Sequence, residues 1–386
     1  MKLRIAAALL IAGACAAQGQ KPRFEMTDVF VGGQDDINTY RIPSLICTRK
    51  GTVLAFCEGR RNNSADGSPT DLVMKRSPGD SGAWTPPDKR GPQPNERSRQ
   101  LNMTWLPMQT LARSRDGSAW MNPIPVMDRS DGALYLLVND YPQPYRDLPA
   151  HIWLLKSKDE GATWSAPLDI TSGTGLHELG PGIGIQLHNG RLVVPVYDGV
   201  IFSDDHGVTW KGGGKAVGPV NETQVVELVD GSLMLNRRGA PNRSLFISHD
   251  QGESWGPPAR DAVLTDPSQY DGCQASLIRY TREDEGYSKN RILFANPTDL
   301  VHRLNLTVRL SYDEGKSWPV SKVIQRGPSS YSSMTVLPDG SIGIIYEAGH
   351  IYDDHVEYLS RLAFARFNLE WLSDGKDHIE EARDRQ

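Results

Sequence analysis

"SKDEGATW", residues 157–164, recurs as "SDDHGVTW" at 203–210, "SHDQGESW" at 248–255 and "SYDEGKSW" at 311–318. All four read S-x-D-x-G-x-[ST]-W, and their starts lie 46, 45 and 63 residues apart. A phrase repeated at such a period signals blades or solenoid units, each too small to bury its apolar face alone. Between the copies stand short apolar runs such as "ALYLLVND", "RLVVPVYD", "SLMLNRRG", "RILFAN" and "SIGIIYE", bounded by Gly, Asp, Asn and Pro. Their length, turn-forming borders and partial period-two alternation are those of β-strands. No long 3.6-residue periodicity competes with them. The expected fold is all-β, a six-bladed β-propeller, because roughly 60 residues per four-stranded blade divides the chain beyond its N-terminal segment into six.

Asp-x-Gly within the phrase is turn chemistry. The carboxylate accepts backbone N–H groups, and Gly supplies a positive φ. Trp is expected to anchor the hairpin on the neighbouring blade. The phrase is therefore expected to hold the fold together and to take no part in chemistry. A degenerate fifth copy, "SPGDSGAW", stands at 77–84.

The N-terminus has a different character. Lys2 and Arg4 precede "IAAALLIAGA", an apolar run too short to span a bilayer and suited to the core of a signal peptide. Residues 1–20 are read as that signal, and 21–386 as the propeller. Ala14 and Ala16 suit cleavage, while Cys15 leaves lipoprotein processing open, so the expected location is exported: periplasmic, secreted or lipid-anchored. No later segment is long and apolar enough to span. Cys47 and Cys57 lie in apolar runs joined by a turn near Lys50-Gly51 that does not set them opposite each other. Cys47, Cys57 and Cys273 are read as small buried hydrophobes. A net charge of −5 gives no excess of positive charge for nucleic acid or an anionic membrane.

The repeats resemble the Asp boxes of the sialidase (neuraminidase) family, and further segments match in order. "TYRIPSLI" and "GTVLAFCEGR" resemble the family's opening segments, "NPIPVMD", "GPGIGIQL" and "NETQVVELVDGSLMLNRR" its middle, and "GPSSYSSMTVLPDGSIGIIYE" its close. The match runs from Tyr40 to Phe367. It implies an exo-α-sialidase, a glycoside hydrolase releasing terminal sialic acids from glycoproteins or glycolipids with retention of configuration. No cofactor or metal is implied, and His151, His177, His188 and His206 do not fall in a ligand-spaced cluster.

Sialic acid carries a carboxylate on its anomeric carbon, and arginine matches a carboxylate with a bidentate fork. The resemblance places an arginine triad at Arg41, Arg238 and Arg303, a further substrate arginine at Arg60, and at Glu347 the carboxylate that orients Arg41. Arg237 and Arg309 are the competitors, expected at the surface. A neutral phenol avoids the repulsion that a carboxylate nucleophile would meet at this carbon, but it titrates near pH 10 and needs a base beside it. Tyr331 and Glu222 match the family's pair; typical members carry Asp where this chain has Ser333. Asp66, in a polar Gly/Pro-rich loop, is the expected general acid and base, with Asp71 as its rival. Met103 and Trp105 are candidates to wall a pocket for an N-acetyl methyl, or to pack in the core. Two other readings stand beside hydrolysis. A sialic-acid-binding lectin or scaffold would need the arginines but not Tyr331, Glu222 and Asp66 together, and a trans-sialidase would differ only in its acceptor site.

Overall fold

In the computed structural model, which describes residues 20–78, 104–143, 145, 150–175, 177–351 and 356–379, all four copies of the phrase close the same turn. Ser157 Oγ donates to Asp159 Oδ1 at 2.8 Å and accepts the Gly161 N–H at 3.0 Å. The Asp159 carboxylate then takes the backbone N–H of Thr163 at 2.9 Å and its hydroxyl at 2.6 Å. The same bonds recur around Asp205, Asp250 and Asp313. In each turn the residue before Gly and Gly itself both have positive φ, 58° and 74° at His206-Gly207. Glycine is required there twice over, because a Cβ on Gly207 would stand 2.3 Å from the Tyr135 ring. The tryptophans reach the preceding hairpins: Trp164 sits edge-on to Phe56, Trp210 edge-on to Tyr135, and Trp255 donates to the Gly214 carbonyl. The degenerate copy at 77–84 and Met103 lie outside the described residues, apart from Ser77 and Pro78.

The protein is all-β. Strand β1 is Phe24–Val31. Strands β2 (Thr39–Cys47), β3 (Val53–Arg60), β4 (Thr70–Ser77) and β5 (Gln109–Ala112) form one antiparallel run. A second comprises β6 (Ala119–Met127), β7 (Leu134–Tyr141), β8 (His151–Ser157) and β9 (Leu168–Asp169). One parallel bridge, Thr70 to Ala119, joins them into an eight-stranded sheet. Two separate four-stranded sheets follow: β10 (Ile185–Gln186), β11 (Leu192–Val196), β12 (Gly199–Ser203) and β13 (Lys211–Lys215), then β14 (Thr223–Glu227), β15 (Leu233–Arg237), β16 (Asn242–Ser248) and β17 (Ala259–Thr265). Strands β18 (Ser276–Thr281), β19 (Arg291–Pro297) and β20 (Leu304–Ser311) pair with the first half of β21 (Val320–Val336). Its second half pairs with β22 (Ile342–Ile351), which pairs with β23 (Val356–Phe367). Strand β1 completes this seven-stranded sheet against β23, Phe24 opposite Phe367, so the first and last strands share one sheet.

Apolar side chains of successive runs interdigitate into buried clusters, one of which packs Leu54, Phe56 and Met74 against Leu134, Leu136 and Leu155. Cys47, Cys57 and Cys273 are free thiols, with Cys57 and Cys273 wholly buried. Trp105 packs edge-on to Phe364 against the core and is not among the residues lining the cavity described below, which favours the packing reading. Among the described residues no helix is long and apolar enough to cross a membrane.

Candidate active site

Three strands break their ladders at the same end of the molecule. Beta-bulges interrupt β2 between Arg41 and Ser44, β6 between Met121 and Ile124, and β21 between Ser329 and Ser332. A bulge re-aims side chains but frees backbone N–H groups that must be satisfied if buried. Two wholly buried carboxylates do this. Glu347, on β22, accepts the N–H of Ile42 at 2.9 Å and that of Tyr331 at 3.3 Å, and also holds Arg41 Nε at 3.1 Å. Glu58, on β3, accepts the N–H of Asn122 through Oε1 at 3.0 Å, and its Oε2 accepts both Nε and Nη2 of Arg60, its neighbour two residues along the same strand face.

The bulges open a cavity of about 790 Å3 lined by Arg41, Arg60, Asp66, Glu222, Arg238, Arg303 and Tyr331. Seven of the eight residues expected at the site thus line one cavity, and the eighth, Glu347, is paired with Arg41 at 3.1 Å. Glu222 precedes β14 and Arg238 follows β15, and the hairpin register continues through them, with Arg238 N–H donating to the Glu222 carbonyl at 2.9 Å. Strand alternation sends Arg237 the other way. It is buried over the Phe246 ring and donates to the carbonyls of Ala216, Val217 and Pro219, so it is not the surface residue expected. Arg309 is also half-buried, donating to Asn296 at 3.2 Å, with burial holding its pKa below the usual value.

The Tyr331 hydroxyl donates to Glu222 Oε1 and accepts from Arg238 Nη1 at 3.0 Å, while the same Arg238 nitrogen holds Glu222 Oε2 at 2.8 Å. The guanidinium carbons of Arg41 and Arg303 lie 5.2 and 5.4 Å from the centre of the Tyr331 ring. Burial, then the Glu222 charge, pushes the phenol far above its ordinary range, and the three arginines oppose that push. Burial works against the charges of Arg41 and Arg238, but the facing carboxylates outweigh it and hold both raised. Arg303 differs. Among the described residues it donates to the Gly272 carbonyl at 2.9 Å and Ser330 Oγ at 3.3 Å, forms no salt bridge, and leaves its buried Nε without a hydrogen-bond partner. An arginine aimed into a cavity without a carboxylate of its own can take one from a ligand.

Asp66 is half-exposed, 2.9 Å from Arg60 and 3.5 Å from Arg41. Its rival Asp71 is buried, salt-bridged to Arg61 at 2.6 Å, and lines no part of the cavity. Ser333 is buried on β21 and accepts the Leu45 N–H at 3.0 Å, a brace between two strands. Other lining residues went unread in the sequence. Glu178, Tyr197 and an Asp198–His177 pair at 3.0 Å also line the cavity, and the Arg303 guanidinium lies over the exposed Tyr270 ring. Glu58, buried behind the wall and two residues before Arg60, was the one unread partner with a local signal. Among the described residues no cluster of His, Cys, Asp and Glu is arranged to hold a metal ion.

A family model described as a BNR repeat-like domain matches residues 51–344. Over 399 residues the chain is 33% identical to a sialidase of Micromonospora viridifaciens, a match covering 94% of this chain and 56% of that one. It is 30% identical over 384 residues to an exo-alpha-sialidase of Arthroderma benhamiae, covering 88% and 86%. The chain thus spans little more than half the length of the bacterial relative and most of the fungal one. Among solved structures, the Hadza microbial sialidase Hz136 superposes with a TM-score of 0.73 at 26% identity, covering 90% of this chain and 69% of that one.

Proposed function

The chain belongs to the sialidase family of glycoside hydrolases, and on that footing we propose that it is an exo-α-sialidase which cleaves terminal sialic acids from glycoconjugates with retention of configuration. One observation carries this reading: the Tyr331 hydroxyl is bonded to Glu222 and Arg238 at once, with Arg41 and Arg303 over its ring. Sialidases with a tyrosine nucleophile are an established exception to the two-carboxylate scheme of retaining glycosidases. The substrate carboxylate binds Arg41, Arg238 and Arg303. Tyr331 attacks the anomeric carbon as Glu222 takes the phenolic proton, and Asp66 protonates the departing oxygen. Asp66 then deprotonates the water that breaks the tyrosyl–sugar bond, and the proton on Glu222 returns to the phenolate. Two inversions at one carbon give net retention.

The six-bladed propeller is part of the proposal. The eight-stranded sheet divides at its single parallel bridge and the seven-stranded sheet divides within β21, which with the two separate sheets makes six four-stranded runs. Strands β2, β6, β11, β14, β18 and β21 touch in that order, and β21 touches β2. Export also belongs to the proposal, resting on the character of residues 1–20; N-terminal sequencing of the mature protein tests it, and a chain beginning at Met1 in the cytosol overturns it.

Activity is tested by fluorescence release from 4-methylumbelliferyl α-sialoside, and stereochemistry by proton NMR of the first sugar released. The α-anomer is expected first, and early appearance of the β-anomer overturns retention.

A further inference from the structure

Behind Arg238 and Arg303 lies a buried ion pair that none of the roles above uses. Arg243, on β16, and Asp266, one residue beyond β17, are essentially inaccessible, and Arg243 Nη1 holds Asp266 Oδ1 at 3.1 Å and Oδ2 at 2.9 Å. Each partner also grips the backbone of one loop of the site. Asp266 Oδ2 accepts the N–H of Gly239, the residue after Arg238, at 3.0 Å. Arg243 Nη1 donates to the carbonyl of Cys273 at 2.8 Å, and the neighbouring carbonyl of Gly272 is the one that receives Arg303 at 2.9 Å. The loop between them braces Arg238 in turn, through the carbonyls of Tyr270 and Asp271. Contact is close enough that a Cβ on Gly272 would lie 2.8 Å from Asp266 Oδ2 and 3.1 Å from Arg238 Cγ. Asn296 and Asn236 complete the pair's hydrogen bonding.

We propose that Arg243 and Asp266 are positioning residues that fix the spacing of the Arg238 and Arg303 guanidiniums, and so set the affinity for the anomeric carboxylate; this rests on the reading of those two arginines as carboxylate ligands. A buried ion pair is poor evidence of stability, because desolvation offsets most of its attraction and apolar pairs of similar volume commonly replace it without loss. An apolar pair cannot supply an acceptor for Gly239 and a donor for Cys273 from one rigid unit. Without that unit the two loops lose their common reference, and displacements on the order of 1 Å at a fork-to-carboxylate contact are costly.

The test measures kcat, KM and Tm with 4-methylumbelliferyl α-sialoside for the double variant Arg243→Met/Asp266→Leu, for Asp266→Asn and for Arg303→Lys. The double variant is expected to fold with a lowered Tm, because the Gly239 N–H and Cys273 carbonyl lose their partners, while KM rises about tenfold or more and kcat falls less than KM rises. A folded double variant with parental KM overturns the proposal. If the double variant does not fold, Asp266→Asn decides, since it keeps shape but replaces one acceptor oxygen with a donor; parental KM in the folded single variant overturns the proposal. Arg303→Lys separates the two levels. Raised KM there with parental KM in the positioning variants removes the positioning role alone, whereas parental KM in Arg303→Lys removes the carboxylate reading on which it rests.

Discussion

Tyr331 and Glu222 lie 109 residues apart in the chain, and the hydroxyl of the first donates to Oε1 of the second. Burial and the Glu222 charge hold the phenol above its usual range despite three nearby arginines. It therefore stays protonated in the resting enzyme, and under the proposed mechanism the proton moves to Glu222 as the bond to sugar forms. Ultraviolet difference titration of wild type against Tyr331→Phe should show no extra tyrosinate below pH 10. A tyrosinate signal near neutrality would remove the need for a base. Tyr331→Phe should stay folded yet lose most activity on every sialoside, and Glu222→Gln should fall between it and wild type. With a 2,3-difluoro sialic acid bearing a good leaving group, intact-mass and peptide analysis should find one sugar on Tyr331 and none on Tyr331→Phe. A label on Glu222 or Asp66 would reverse the assignment.

Arg238→Lys keeps a charge but not a fork, so KM should rise sharply. Arg237, one residue away, faces the opposite side of the hairpin and holds three carbonyls. Arg237→Lys should lower Tm and leave KM nearly unchanged. Equal effects of the two variants on KM would contradict the alternation that separates them.

None of the residues in the four repeated turns lines the cavity. Asp159→Ala and Asp205→Ala each remove bonds from one carboxylate to a hydroxyl and a backbone N–H, costing about 1 kcal/mol apiece at these exposed sites. The double variant should unfold at lower urea concentration with unaltered KM in its folded fraction. Loss of activity at constant Tm would mean that the turns reach the site.

How far the sequence could be read follows from where each interaction is encoded. The turns are local: Ser, Asp, Gly and Thr within eight residues complete their own bonds, so the phrase announces the hairpins. The site residues were legible through the segments around them, because Arg41, Tyr331 and Glu347 sit in matched strands. Their joint orientation was not, since it depends on bulges in β2 and β21 whose freed N–H groups meet one carboxylate from β22. The Arg243–Asp266 pair, the Tyr270–Gly272 brace and the burial of Arg237 arise from contacts between separate strands and turns and leave no periodic trace. Strand β21 reads as one strand yet serves two runs, a division that only pairing reveals.

Asp377 ties the C-terminal segment to β19 through Arg291 at 2.8 Å and Lys289 at 2.9 Å. Burial alone would raise its pKa, but these bonds outweigh burial and hold it at about 2. A depressed carboxylate contributes stability that is present above its unfolded value near pH 4 and is lost as pH falls toward 2. Arg291→Met should cost about 3 kcal/mol near neutrality by leaving the buried carboxylate without its main partner. In urea unfolding, the gap between variant and wild type should narrow between pH 4 and pH 2. A gap of constant size would place the effect in packing.

Asp66 is the half-exposed member of the proposed catalytic set, held by Arg60 and Arg41 at the cavity wall. Its role as proton donor makes a prediction that depends on the leaving group. A 4-methylumbelliferyl group departs as a stabilised phenolate and needs little protonation, whereas a sugar hydroxyl needs a full proton. Asp66→Ala should therefore slow release from sialyllactose by a larger factor than release from the aryl sialoside, with a difference on the order of tenfold to a hundredfold. The second step tests the same carboxylate as a base. Hydrolysis of the tyrosyl–sugar intermediate requires an activated water whatever group has left, so Asp66→Ala should accumulate labelled Tyr331 with the aryl substrate, visible as a burst of fluorescence followed by slow turnover. Added azide, a nucleophile that needs no base, should then speed turnover of the variant more than that of wild type. Equal slowing of both substrates, with no burst and no azide effect, would leave Asp66 as a positioning group for Arg60 and Arg41 and would require another residue to carry the proton.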